Sequence, residues 1–317
     1  ALSMSRHAPP QIVAALASDQ DEVAACILVR SPLLTDVDLI DRVAASRPSI
    51  QALIASRPVV SMSLSAAIAE VGALEACLVL ARNAGAEIAS LSFRRMAERF
   101  GQEAALREAL LADPRLPGDC RHMLLVALGE ALRHAPLVRA LMGEARAERV
   151  TREACVRASL TLIEHTPTGE HAALIEHLRL RGELTAGFLL RAIAHGKVDF
   201  LGSVLMTLSG HSEERVRAIL ASGRDVAVTS LFGASGLAKP LHGVFLRALK
   251  VWREVAADRR VAGAQEVSWL MLNEINAAPG QPGPAESDRE AAALIKTIHL
   301  EALRENAREH ALAIAAA

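Results

Sequence analysis

Tyrosine is absent from the 317-residue chain, and two tryptophans and six phenylalanines bring aromatics to only 3%. Strands favour aromatic and β-branched residues, so this shortage argues against a β-sandwich. It also leaves little with which to stack nucleobases, since only Trp252 and Trp269 could wall a base pocket. Lysine is nearly as scarce, occurring at Lys197, Lys239, Lys250 and Lys296, so arginine carries most of the positive charge. A charge excess is missing too. The formal net charge of −1 excludes a global field that would steer the chain onto nucleic acid or an anionic membrane. Cys26, Cys77, Cys120 and Cys155 lie far apart in apolar helical contexts, without the paired spacing of a zinc or redox motif. They read as reduced core residues. No apolar run approaches the roughly 18–20 residues that span a bilayer. Ala1 to Pro10 lacks the charged, apolar and small-residue succession of a secretory signal, so the expected compartment is the cytoplasm. No GxSxG elbow, P-loop or dinucleotide fingerprint occurs, and no catalytic residue or cofactor is expected.

Alanine and leucine dominate what is present, within a composition that is 51% hydrophobic and 22% charged. That suits a folded chain of closely packed helices. From Glu22 to Pro117 one phrase returns: an apolar helix end, a basic or polar pair, then proline. It reads Leu28-Val29-Arg30-Ser31-Pro32, then Leu53-Ile54-Ala55-Ser56-Arg57-Pro58, then a degenerate Leu80-Ala81-Arg82-Asn83-Ala84, and Leu110-Leu111-Ala112-Asp113-Pro114. The steps are 26 (58 − 32), 26 (84 − 58) and 30 (114 − 84). Thr35, with Asp38 three residues on, then Ser61 and Glu87, sets helix starts at the same period of 26. A lone pair of short helices cannot bury its apolar stripe, so such units must stack.

Further along, Met123 to Arg133 and Leu137 to Ala147 read as a longer helical pair, and Thr151 as the start of a helix reaching about His165. After the turn Thr166-Pro167-Thr168-Gly169, Gly196 and Gly223 end two helices 27 residues apart, and Ser212 with Glu213 and Glu214 opens the second. Leu237 to Asp258 and Ala262 to Ala277 read as longer helices. Pro279 to Pro284 reads as a linker, and Ser287-Asp288-Arg289-Glu290 as a capping box opening a last helix to about Ala313. The expected fold is all-α: a HEAT-like α-solenoid of short antiparallel helix pairs with longer C-terminal helices. Its expected segments are N-terminal repeats over 1–150, further repeats of the same superhelix over 151–258, and long helices over 259–317 joined by a Pro/Gly linker at 278–286.

Ala186 to Phe200, Glu213 to Leu220 and Leu231 to Leu237, with the phrases Leu28 to Thr35 and Ala55 to Pro58, resemble a bacterial family of all-helical proteins defined only as a domain of unknown function. The similarity covers roughly Glu22 to Ala256, and more loosely the chain resembles HEAT-like and leucine-rich-variant repeats. What the resemblance implies is the solenoid fold and a cytoplasmic setting. It transfers no catalytic residue.

Two constellations bear on function. Glu164-His165, Glu170-His171 and Glu176-His177 repeat at six-residue steps, and histidine beside carboxylate is a metal-ligating pair. Six residues is about 600° of helix, however, so His171 and His177 fall on different faces, and no metal ligand set is assigned. Arg94, Arg95 and Arg99, with Arg146 and Arg149, are the candidate partner-binding residues, able to hold an acidic protein or phosphates, although Glu98, Glu103, Glu144, Glu148 and Glu153 dilute their field. The expected function is a non-catalytic scaffold or adaptor for a protein or peptide. The alternatives are an enzyme or metal-dependent protein using the 164–177 cluster, or a nucleic-acid-binding HEAT-like protein. Leu294, Ile298 and Leu303 give the last helix an apolar side that would dock on its own body or pair two copies.

Overall fold

The computed structural model describes residues 2–277 and 286–315. The linker expected at 278–286 falls almost wholly outside them, and of the capping box expected at 287–290 the side chains of Ser287 and Asp288 are not described. The chain is all-helical, and among the described residues there is no strand, only an isolated parallel bridge between Val60 and Ala86. No helix among them is long and apolar enough to cross a membrane. Contacts divide the chain into two compact units, Ala1–Cys155 and Val156–Ala317.

The first unit holds α1 (Pro10–Leu16), α2 (Asp21–Arg30), α3 (Asp36–Ala45), α4 (Pro48–Ala55), α5 (Met62–Val71), α6 (Leu74–Arg82), α7 (Ser90–Phe100), α8 (Ala104–Ala112), α9 (Gly118–His134) and α10 (Pro136–Met142), together with the start of α11 (Glu144–His165). Helices two apart in sequence lie side by side. One row runs α3, α5, α7, α9 and the other α2, α4, α6, α8. Between the rows sits a core that includes Leu28, Val43, Ile54, Ile68, Leu80, Phe93, Met96 and Leu106.

Local chemistry starts these helices where expected at two of three caps. Thr35 accepts from the Asp38 amide while the Asp38 carboxylate accepts from the Thr35 amide, a closed capping box, and Ser61 accepts from the Leu64 amide. Glu87 does not cap. Its amide donates to the Val60 carbonyl at 2.9 Å, completing the bridge between neighbouring loops, and α7 begins only at Ser90. The third unit therefore slips out of period. A second difference follows Gly143, whose φ of 75° ends α10. No breaker follows before His165, so one 22-residue helix stands where two were expected.

Successive units are clasped by side chains that reach the carbonyls freed at the preceding helix C-terminus. Arg57 donates to the carbonyls of Leu28 and Ser31 at the end of α2, and Asn83, 26 residues later, donates to Ala55 and Arg57 at the end of α4, both at 2.8 Å. In the other row Arg42 closes α1 through Ala17 and Ala14, and Arg99 closes α5 through Ala69 and Gly72 at 2.7 and 2.8 Å. Gln51 donates to the Val43 carbonyl of α3 and accepts from the Ala73 amide that leads into α6. A helix end buried without such partners would leave several main-chain acceptors unmet.

The second unit contains the rest of α11, then α12 (His171–Leu180), α13 (Ala186–Ala194), α14 (Val198–Ser209), α15 (Glu213–Ser222), α16 (Asp225–Ala234), α17 (His242–Ala256), α18 (Ala264–Ala277) and α19 (Glu286–Ala315). Thr185 and Ser212 cap α13 and α15, and Gly223, at φ 67°, takes the left-handed position that ends α15. Gly196, at φ 76°, lies one residue beyond the C-cap of α13, with the Trp252 ring so close that a Cβ would meet it at 3.2 Å. The Trp252 indole donates to the Ile193 carbonyl at 2.6 Å, so here an indole does what arginine does in the first unit. The helix expected from Leu237 begins as a 3-10 turn, Lys239–Leu241, because Pro240 cannot donate within a longer helix. Ile298 and Ile295 of α19 are buried in this unit's own core and Leu294 packs beside them, so these residues of the apolar side dock on the body.

Replacing Arg57 with methionine keeps its stem and strands two half-buried acceptors. We expect a loss of about 2 kcal/mol in stability, read as a lowered urea midpoint with unchanged slope. Arg57→Lys should recover only part of it, because one ammonium cannot span both carbonyls. An unchanged midpoint in both variants would show the clasp to be dispensable.

Candidate functional site

The five candidate arginines divide into two groups. Arg94, Arg95 and Arg99 lie on α7 and are engaged with neighbouring helices: Arg94 with Asp119, Arg95 with Glu70 at 2.8 Å, and Arg99 with the α5 carbonyls while its guanidinium lies over the Phe100 ring. Arg146 and Arg149 are exposed on α11, where neither has an ion-pair partner among the described residues. The neighbouring Arg139 and Arg152 are paired with Glu144 and Glu148.

The Glu-His series is likewise dispersed. Glu164 binds Lys197 at 2.6 Å, His165 lies 2.8 Å from the Thr161 carbonyl of its own helix, and Glu176 pairs with Arg179. His171 is buried edge-on to Phe200, its Nε2 donating to the Thr166 carbonyl and its Nδ1 lying 2.9 Å from the Ser203 hydroxyl. Among the described residues no three His, Cys, Asp or Glu side chains gather as a metal centre. Of the four cysteines expected in the core, Cys77 and Cys120 are buried while Cys26 is exposed and Cys155 half-buried; burial pushes the Cys77 thiol up to about 11 and the Cys120 thiol up to about 12.

A polar cleft of about 570 Å³ lies in the second unit. Arg157, Thr161 and Glu164 of α11 form one wall, and His195 and Lys197 enter from the turn after α13. The amino end of α18, from Gly263 to Glu266, and Glu305 and Asn306 of α19 complete it. Asn306 donates to the Gln265 side chain, tying α19 to α18, and Glu266 is held by Arg260. His195 is the one imidazole in the lining. Burial, joined by Lys197 and Arg191 and opposed by Glu305 and Glu301, holds it below its ordinary value and hence neutral at pH 7. The Thr161 hydroxyl already donates to the Arg157 carbonyl at 3.2 Å, so the lining offers hydrogen bonds and charge without a nucleophile beside a base.

A chain that is all-helical over its described residues, and several of whose arginines close its own helix ends, defines an architectural class and no particular reaction. The chain belongs to the bacterial family described as uncharacterised protein conserved in bacteria, DUF2336, which matches residues 23–277. That span takes in most of both units and stops before α19. No curated protein and no solved structure matches the chain.

Two histidines of the second unit, His171 and His195, are held below the free value of 6.5, in each case chiefly by burial. The unfolded chain therefore binds protons more readily, and stability present above pH 6.5 is lost as pH falls through the folded values. Glu164 and Glu176 are held below their ordinary 4.5 and contribute their loss only at lower pH. We expect Tm to fall by a few degrees between pH 7.5 and 5.5, at about 2–4 °C per kcal/mol in a unit of this size. A His171→Gln/His195→Gln variant should flatten that profile, and an equal slope in the variant would assign it elsewhere.

Proposed function

We propose that the chain is a non-catalytic scaffold, an α-solenoid whose stacked helical pairs engage a protein or peptide partner in the cytoplasm. The observation that carries this reading is a row of uncovered apolar side chains at matching places in successive units. Val37 opens α3, Met62 opens α5 and Leu91 opens α7, and they are 68%, 55% and 76% exposed. These three helices lie side by side, and the Ser61 and Ser63 hydroxyls donate to Asp36, holding the first turns of α3 and α5 together. A periodic apolar row on an otherwise polar surface is what a partner covers. The two-row stacking and the unit-to-unit clasps support the solenoid, and the lack of a disulfide among the four cysteines accords with a reducing compartment. Candidate partner contacts at Arg146 and Arg149 remain part of the proposal, because their guanidinium groups are exposed and unengaged.

The test is affinity capture from the native bacterial lysate, with and without nuclease, using the wild-type chain and a Val37→Asp/Met62→Asp/Leu91→Asp variant. A stoichiometric protein that survives nuclease and is reduced at least tenfold by the variant, at unchanged helical content, is the expected result. A partner retained equally by both would remove the row from the interface. Material lost on nuclease treatment would turn the reading toward nucleic acid.

A further inference from the structure

The last helix has a second face that its packing leaves open. Ala291, Ile295, Ile298 and Ala302 of α19 are buried, and Glu301 on one flank pairs with Arg191 of α13. On the opposite side Arg289, Lys296, Leu300, Arg304 and Arg308 are all exposed. At 100° per residue these cations fall within about 120° of arc and extend over about 28 Å of helix. Among the described residues Glu290, at the edge of that arc, is the one acid there, and none of the four cations has an ion pair or hydrogen bond. The strip thus carries three more positive than negative charges in a chain whose net charge is −1.

An aromatic anchor stands beside it. Trp269 of α18 is 50% exposed, whereas the chain's other tryptophan is packed against Gly196. Ser268 and His299 approach to 3.1 Å across the antiparallel pair of α18 and α19. Trp269 and Leu300, each the next residue in its helix, therefore turn to the same side of that contact and stand about 3 Å apart along the axes, with Leu300 also uncovered. A half-exposed indole flanked by an exposed leucine and unpaired cations is the composition of a binding hot spot, with the charges aiding encounter and the aromatic supplying area.

We propose that this surface docks an acidic amphipathic helix of a partner protein, its carboxylates meeting Lys296, Arg304 and Arg308 and its apolar side covering Trp269 and Leu300. Charge complementarity selects an acidic partner. The narrowness of the apolar part selects a peptide over a bilayer, because from Arg289 to Arg308 the outward arc offers only Leu300 and alanines to bury among acyl chains, the exposed Leu312 and Ile314 lying beyond that stretch. This surface lies in the second unit and is independent of the apolar row on α3, α5 and α7.

The full chain is titrated with a designed Glu-rich helical peptide bearing leucines at i, i+3, i+4 and i+7, followed by tryptophan emission and calorimetry. Controls are the Glu→Gln peptide, a peptide of equal composition with its leucines dispersed around the helix, and vesicles rich in anionic phospholipid. Binding should weaken with salt, blue-shift Trp269 emission, and fall at least tenfold in a Lys296→Glu/Arg304→Glu/Arg308→Glu variant and in Trp269→Ala. Because every altered side chain is at least half exposed or unpaired, circular dichroism should stay unchanged. Equal binding of the dispersed-leucine peptide, or indifference to the charge reversal, would overturn the proposal. Vesicle binding without peptide binding would overturn it in favour of a membrane surface. The Val37→Asp/Met62→Asp/Leu91→Asp variant should bind the acidic peptide normally, so failure here and failure of the scaffold row read separately.

Discussion

The helix C-terminus governs this structure. Short helices end every ten residues or so, and each ending frees carbonyls that the next unit would otherwise bury unsatisfied. Arg42, Arg57, Asn83 and Arg99 meet those carbonyls from one unit further along the chain. Each such side chain satisfies a terminus and fixes the distance to the neighbouring helix in one contact. With that distance set, Ile54, Leu64, Ile68, Leu80 and Phe93 close into one continuous core. Arginine suits such a position, since a planar fork can bridge two carbonyls and a single ammonium cannot.

Much of the helical punctuation was legible in the residues because it is local. A threonine with an aspartate three positions on, or a serine at the same phase, states a helix start without reference to anything distant. Glu87 misled because its role is set by the loop around Val60, which no local pattern announces. Continuity of α11 through Thr151 was hidden for a similar reason: threonine there bonds back to the Ala147 carbonyl and sits inside the helix. The clasps carry no sequence pattern because their acceptors are main-chain atoms, which leave no residue signature. Arg99 thus reads as a surface charge when both terminal nitrogens of its guanidinium are engaged.

The cleft around His195 was also invisible in the sequence, and for a geometrical reason. Its lining comes from four segments that are as much as 149 positions apart (306 − 157), each unremarkable alone. The Glu-His series was conspicuous by spacing, yet Glu164, Glu176 and His171 bind Lys197, Arg179 and Ser203. Regular spacing on a helix advertises a pattern, whereas convergence of chemistry depends on which turns the packing brings together. Composition and helix punctuation gave the all-helical class, while placement decides which charges are spent inside and which face solvent.

The acceptors of the clasps have one further consequence. A main-chain carbonyl is the same atom whatever side chain its residue carries, so the positions that receive a clasp are free to drift, and the position that extends it is constrained only to reach and donate. Arg57 and Asn83 occupy equivalent places and do the same job with different chemistry. The architecture can therefore persist through sequence change that erases the repeat as a written motif, and a degenerate unit such as the one ending at Asn83 marks a substituted fastener in an unbroken stack.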